Sequence, residues 1–474
     1  MQETDKRWVV LGVMLSIFLA AMEATVVATA MPTVVQSLGG LQAYSWVFSG
    51  FILTQTVSMP LWGRFSDLYG RRPMYLAGLA TFLIGSALSG TAHSMAQLIA
   101  FRMVQGLGAG SLMTLGYTII GDLFGLERRA KLQGYISGVW GIASLIGPWL
   151  GGLLTDHLSW RWVFYVNLPV GAVAMGLIAA ALREDDHARR RPGMDYPGVA
   201  LFTAGVSSLL LGIVEAGRAA AWSGPEVVTP LAFAAAALVA FVLVERRAVE
   251  PIVPMRLFAS RMVVAAVVTR FLAGMSIFGA ISFLPLFLQS VTGTSATGAG
   301  MALTPFILGW VVTSVVSARL VLRVGYRGVV MAGMACLAGS FFLFARWDVS
   351  LTLAGAMRDV ILAGIGMGLV VVPLLIAVQS AVPRRDLGVA TSMIQFFMSV
   401  GGAVGVSAMG AVMAQRLEAG LPLAAALHGV FVLGLAVSVL ALVASLMVPG
   451  GRAQDLARVE APEGDPERRM MHGR

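Results

Sequence analysis

From Trp8 to Pro32 the chain carries a single charged side chain, Glu23, and stretches of the same apolar character recur almost to its C-terminus. A run of about 20 mostly apolar residues is what an α-helix needs to cross a bilayer. Lipid offers the backbone no hydrogen-bond partners, so such a segment must satisfy its own amides, which a helix does. Composition points the same way, with 58% hydrophobic and 12% charged residues over 474, where a soluble domain is roughly a quarter charged. Lys6 and Arg7 precede the first run as in a signal peptide, but the run continues to about Met31, too long for a cleaved apolar core. It reads as a retained first helix.

Applied along the chain, this criterion predicts an all-α integral membrane protein with fourteen spans. The first six are Trp8–Pro32, Trp46–Phe65, Met74–Thr91, Met95–Ile120, Leu132–Thr155 and Trp162–Leu182. A hydrophilic break from Arg183 to Asp195 leads to two more, Tyr196–Val214 and Val227–Val244, and a basic connector runs from Glu245 to Arg261. The last six are Met262–Gln289, Ala299–Leu320, Val329–Ala345, Gly355–Val378, Gly388–Met413 and Ala424–Val448. Beyond Pro449 the chain is polar and charged and is expected to be disordered.

The formal charge of +9 comes almost wholly from arginine, Lys6 and Lys131 being the only lysines. The arginines lie between apolar spans rather than on one soluble face, so membrane topology explains them better than nucleic acid does. Placing the N-terminus in the cytoplasm puts most basic residues inside. Arg161, Arg218, Arg346 and Arg416 fall outside, and Arg102, Arg270 and Arg358 fall within spans. The positive-inside bias therefore predicts an N-in, C-in protein of the inner or plasma membrane. Cys336, the lone cysteine, reads as a small core residue.

A weak internal repeat divides the spans. Gly106, Gly108 and Gly110 in the fourth are echoed by Gly364, Gly366 and Gly368 in the twelfth. The connector from Gly63 to Arg71 has a worn echo from Ala318 to Tyr326. Residues 1–182 thus form one six-helix half and 262–448 another, with two inserted helices in 183–261 and a tail over 449–474. Two such halves are what an alternating-access transporter requires.

Charged groups inside a bilayer are costly and usually functional. Glu23 lies about fifteen residues beyond Trp8, roughly 22 Å into a core about 30 Å thick. Arg102 enters the fourth span from the other side, about 9–10 Å below the surface, so the two share a depth. Glu215 and Asp359 fall near outer span ends, where interfacial placement is favoured. Arg270 either neutralises an anionic group or snorkels inward, and snorkelling is slightly favoured.

Four stretches in order resemble the major facilitator superfamily, specifically its fourteen-helix drug:proton antiporters. Gly63 to Arg72 resembles the loop motif between helices 2 and 3, and Arg102, Gln105, Gly106 and Gly108 resemble the helix 4 motif. Gly134, Gly138, Gly147, Pro148, Gly151 and Gly152 resemble the antiporter motif of helix 5. The stretch from Trp160 to Pro169, with the chain's only asparagine, Asn167, is similar to one typical of fourteen-helix members. The resemblance covers the chain from first span to last. Leu68 stands where a basic residue is common, Ala143 where a glycine is usual, and Glu23 where an aspartate is more frequent.

The resemblance implies several roles. Gly63, Asp67, Gly70, Arg71 and Asp122 would form a cytoplasmic latch holding the outward-facing state. The helix 5 glycines and a bend at Pro148 would seal the halves together. Glu23, with Arg102, would face the central cavity as proton and substrate acid, where a cationic or hydrogen-bonding compound and a proton displace one another. Met22, Phe51, Gln55, Met113, Tyr117, Trp140, Phe278, Phe283, Gln395 and Phe396 lie on helices expected to line an adaptable apolar pocket.

The function implied is proton-driven export of hydrophobic or cationic small molecules by a monomer, with the proton gradient in place of a cofactor and no metal. Dedicated export of one lipid, siderophore or self-made antibiotic stays open. A membrane enzyme or channel is a distant third. Neither lysine has the Gly-Lys-Ser or Gly-Lys-Thr context of an ATP-driven pump.

Overall fold

The computed structural model describes residues 3–39, 43–183, 195–219, 222–248, 250–294 and 296–451. The expected disorder of the tail, and most of the hydrophilic break, lie outside the described residues.

Helices account for nearly all of it. The N-terminal half comprises α1 (Glu3–Leu38), α2 (Tyr44–Tyr69), α3 (Arg71–Gly90), α4 (Met95–Leu123), α5 (Leu126–His157), α6 (Trp162–Tyr165) and α7 (Asn167–Ala181). A hairpin of α8 (Tyr196–Ala219) and α9 (Pro225–Glu245) follows. The C-terminal half comprises α10 (Arg261–Ser290), α11 (Ala296–Met301), α12 (Thr304–Val324), α13 (Tyr326–Phe344), α14 (Leu353–Ala381), α15 (Leu387–Glu418) and α16 (Leu423–Ser445). Among the described residues, 13 helices are long and apolar enough to cross a membrane, with α6–α7 and α11–α12 each acting as one. Helix α2 falls outside that set, since Thr54, Gln55, Thr56 and Ser58 interrupt its apolar run.

Those polar side chains are used inside the bundle. Thr54 donates to the Met103 carbonyl at 2.8 Å and Ser58 to the Leu107 carbonyl at 3.1 Å, fastening α2 to α4. The C-terminal half repeats the device. Thr313 donates to the Ile365 carbonyl at 3.2 Å and Ser317 to the Gly368 carbonyl at 2.8 Å, fastening α12 to α14. Even the helix starts match, with Ser94 capping α4 and Thr352 capping α14. A Cβ at Gly110 would strike Ser58 and one at Gly368 would strike Thr313, so these glycines permit the close crossing. The triplet echo read in the sequence is thus a repeated helix crossing. Packing follows the same scheme elsewhere, α1 on α5 and α7, α10 on α15 and α16.

The halves meet along α2 with α15 and α5 with α12, and α4 also touches α15. The α8–α9 hairpin leans on α15 and α2 through α8.

Candidate functional site

Glu23 is buried, 1% exposed, and ion-paired with the equally buried Arg102 of α4. Its second carboxylate oxygen accepts from Asn167 Nδ2 of α7 at 2.6 Å. Asn167 also donates to Ser86 Oγ of α3 at 2.9 Å, and Ser86 donates to the Phe164 carbonyl at 2.8 Å. Arg102 is completed by Gln105 Oε1 at 2.8 Å, and the Phe51 ring lies 4.1 Å from its guanidinium carbon.

This network differs from the arrangement expected across a central cavity. Every hydrogen-bond partner of Glu23 lies in the N-terminal half, and in this conformation the carboxylate is closed off from solvent. Helical geometry explains the placement. Glu23 follows Gly12 by about three turns, so it shares the face that Gly12 lays against Ile178 and Leu177 of α7. Thr25 and Thr29, on another face, meet α5. Asn167 was not singled out as a site residue from sequence, although it is the chain's only asparagine, and a lone amide at span depth is a signal of the same kind as a lone acid.

A second polar cluster is centred on α10 of the C-terminal half. Arg270 of α10 is 0% exposed. It donates to Gln395 Oε1 at 2.8 Å and to the Val371 carbonyl at 2.7 Å, with Met398 Sδ at 3.0 Å. Snorkelling is therefore corrected: the side chain turns into the bundle because α14 and α15 supply acceptors there. Tyr117 of α4, in the other half, is joined to α14 through its carbonyl. Beside it Gln133 of α5 donates to Gln379 Oε1 of α14 at 2.6 Å, and Gln379 donates to the Tyr117 carbonyl at 3.2 Å. The two glutamines thus tie the halves.

The third cluster is the loop motif. Arg71 pairs with Asp67, with Asp122 at 2.7 Å, and with Ser66 Oγ at 2.7 Å. Asp67 accepts from the backbone amides of Gly388 and Val389, both at 2.9 Å, and so caps the N-terminus of α15 across the interface. A Cβ at Gly63 would reach the Gly388 carbonyl at 2.6 Å and would overlap Ser392. Gly70 turns the chain between α2 and α3 at φ 99, a conformation that favours glycine. Leu68 is buried. Within the same stretch Arg64 bridges to Glu250 at 2.6 Å, and beyond it Arg256 pairs with Asp386 at 2.9 Å, so the connector after α9 touches both halves.

Helix α5 divides its motif between two neighbours. Gly134 faces Val315 of α12, while Gly147 and Gly151 pack on Thr25, Val26 and Thr29 of α1 in their own half. Gly138 has only Val311 at 3.9 Å and Gly152 nothing within 4 Å, so close approach does not explain these two. The helix runs unbroken through Pro148, and Ala143 is fully buried.

The predicted pocket residues scatter. Met22, Phe51, Met113 and Tyr117 are buried in the N-terminal half, and Gln55 and Trp140 are half-buried. Phe283 is buried near Gly410, while Phe278 is 39% exposed over Gly402. Phe396 is a correction: it packs on Phe202 of the hairpin, ring centroids 5.7 Å apart, in a cluster with Val57 and Phe241. The inserted hairpin needs an apolar seat, and Phe396 supplies part of it. Asp359 binds Trp347 Nε1 at 2.9 Å beside the exposed Arg358, and Glu215 is half-buried near the end of α8.

Comparison with known proteins places this arrangement. The family profile described as Major Facilitator Superfamily matches residues 13–406. The multidrug transporter protein MdtP of Bacillus subtilis (strain 168) is 38% identical over 88% of this chain and 76% of its own. Multidrug resistance protein 3 of the same organism is 34% identical over 87% and 80%. The acurin A biosynthesis cluster MFS-type transporter of Aspergillus aculeatus is 31% identical over 87% and 76%. Among solved structures, the human organic anion transporter MFSD10 superposes with a TM-score of 0.68 at 20% identity, covering 94% of this chain and all of that one. The proton:xylose symporter XylE does so with 0.67 at 13%, covering 97% and 100%. These two likenesses establish the fold.

Proposed function

This chain belongs to the Major Facilitator Superfamily as a multi-pass membrane transporter, and we propose that it exports hydrophobic small molecules in exchange for protons by alternating access. It does so from the plasma membrane with both termini in the cytoplasm and with α2 as the fourteenth span. Residues 1–182 and 262–448 are the rocking halves, and the α8–α9 hairpin rides on the second.

The observation that carries the reading is the Glu23–Arg102–Asn167 network, an acid held deep in the bundle between α1, α4 and α7. Protonating Glu23 dissolves the ion pair and leaves Arg102 with Gln105, the Val47 carbonyl and the Phe51 ring. Because Arg102 then ties α4 to α2 but no longer to α1, the proton state of one carboxylate sets how α1 seats in the half. The pair is closed in the conformation where Asp67 caps α15, so proton exchange belongs to another point of the cycle. Glu23 already has two partners. It is therefore better suited to carrying the proton than to holding a cationic cargo, and cargo contact falls to the interface between the halves.

The names of the two Bacillus relatives support a broad substrate range, and the fungal relative named for a biosynthesis cluster keeps dedicated export of one product as a second reading. Transport in proteoliposomes under an imposed pH gradient tests both. Wild type should accumulate several unrelated hydrophobic probes, and Glu23→Gln should move none of them against a gradient while still exchanging them down one. Gradient-driven accumulation by Glu23→Gln would remove the acid from coupling. Movement of one compound in a wide panel would select the dedicated exporter.

A further inference from the structure

Arg102 and Arg270 are the two fully buried arginines of the bundle, and only the first has an acid. Among the described residues no carboxylate lies within ion-pairing distance of Arg270. Its contacts are neutral: an amide oxygen, a backbone carbonyl and a thioether. The Nε–H has no partner at all. Burying a cation so far from water is expensive unless a counter-charge arrives, and nothing described in the chain supplies one.

The position of the group narrows what could supply it. Arg270 stands on α10 and its acceptors on α14 and α15 of the same half, and α14 in turn reaches α4 of the other half where Gln379 donates to the Tyr117 carbonyl. A ligand bound there would be held while one half moves against the other. A guanidinium presents parallel N–H groups that fit a carboxylate in two-point fashion. The unmade bond at Nε is the position such a group would take, with the adjacent Nη2 released from the Val371 carbonyl to complete the pair. Gln395 stands beside it as a further hydrogen-bonding group.

We infer that Arg270, with Gln395, is a binding site for the anionic group of the cargo, and that the substrates include amphiphilic organic carboxylates. The inference rests on the export function proposed above and narrows its substrate class.

Equilibrium binding to purified protein in phosphatidylcholine nanodiscs, read by fluorescence polarisation with fluorescein as anionic probe and rhodamine 123 as cationic probe, tests it without a proton gradient. Wild type should bind fluorescein more tightly than rhodamine 123. Arg270→Gln should weaken fluorescein binding at least tenfold and leave rhodamine 123 within twofold, and Arg270→Lys should fall between. Unchanged fluorescein affinity in Arg270→Gln, equal losses for both probes, or no preference in wild type would overturn the assignment. Displacement of fluorescein by phosphatidylglycerol would assign the site to a lipid headgroup and overturn it as well. Should Arg270→Gln fail to fold, Arg270→Lys and Gln395→Leu decide: an anion-selective loss supports the site, and equal affinities overturn it. Binding that behaves as expected with no gradient-driven movement would sink proton coupling and leave this site standing.

Discussion

Two charged sites sit at depth in this bundle, and they are built on opposite plans. Glu23 and Arg102 neutralise one another inside the N-terminal half, with Asn167 and Gln105 completing their valences. Arg270 sits in the C-terminal half with no acid paired to it among the described residues, held only by neutral acceptors on α14 and α15, the two helices that also reach the other half. In an alternating-access cycle, contacts within a half persist while contacts between halves are made and broken. The first plan ties charge to the stability of the half, and the second leaves charge available to something that comes and goes. Asp67, which caps α15 from α2, and the Gln133–Gln379 pair belong with the second group.

If that division is right, removing a charge has different consequences in the two places. Arg102→Ala strands Glu23 as a buried unpaired anion and should cost about 3–5 kcal/mol, read as a large fall in Tm of the detergent-purified protein. A Glu23→Gln, Arg102→Gln double variant should recover much of it. Arg270→Met strands no opposite charge and should lower Tm far less. Equal losses at the two arginines would break the comparison.

The next largest effect should appear as a shift of conformation. Asp67→Asn keeps the shape of the side chain but leaves one acceptor oxygen where there were two, so one of the charge-assisted bonds to the amides of Gly388 and Val389 is lost and the other weakened. Bonds to a charged group contribute about 1.5–3 kcal/mol each, net of exchange with water. Spin labels at Tyr69 and Arg385 should report a longer distance distribution in Asp67→Asn, with Tm little changed. A fall in Tm like that of Arg102→Ala, without a change in distance, would move Asp67 into the within-half group.

Asn167→Ala should be milder than either. It removes one bond to Glu23 and one to Ser86, and intramembrane hydrogen bonds of this kind are worth about 1–2 kcal/mol. The variant should melt lower than wild type but higher than Arg102→Ala, with the label distances at Tyr69 and Arg385 unchanged. A destabilisation as large as that of Arg102→Ala would mean that the amide, not the arginine, carries the acid.

The sequence made some of this legible and not the rest, for physical reasons. Span length and hydropathy are local, so the helices could be placed to within a turn or so at each end. Helix α6–α7 still breaks at Val166 and α11–α12 near Ala302, interruptions that apolar composition hides. Asp67, Arg71 and Asp122 come together at one end of the bundle because adjacent helix ends must lie close. What composition cannot give is the face a helix turns to each neighbour. Glu23 could be assigned a depth but not a side, and the side is set by the packing of Gly12 on α7. Phe396 was misplaced for the same reason, since only the seating of the α8–α9 hairpin shows where that ring goes. Arg270 looked able to snorkel because the acceptors on α14 and α15 are remote in sequence.

The smallest effect is expected on α5, the helix that touches both groups of contacts. Gly147 and Gly151 are held against α1 in their own half, where a methyl group would collide with Thr25 or Thr29. Gly138 faces α12 of the other half with ordinary clearance, Val311 standing 3.9 Å from where its Cβ would be. Gly138→Ala should therefore be tolerated, and relief of the glycine's conformational freedom in a helix interior should raise stability by at most about 0.5–1 kcal/mol. Tm and gradient-driven transport, measured on the same preparation, should both stay near wild type. Loss of transport at unchanged Tm would mean that α12 comes closer to Gly138 in another conformation. The glycine would then serve a contact formed only during the cycle, extending the moving interface along α5 beyond Gly134.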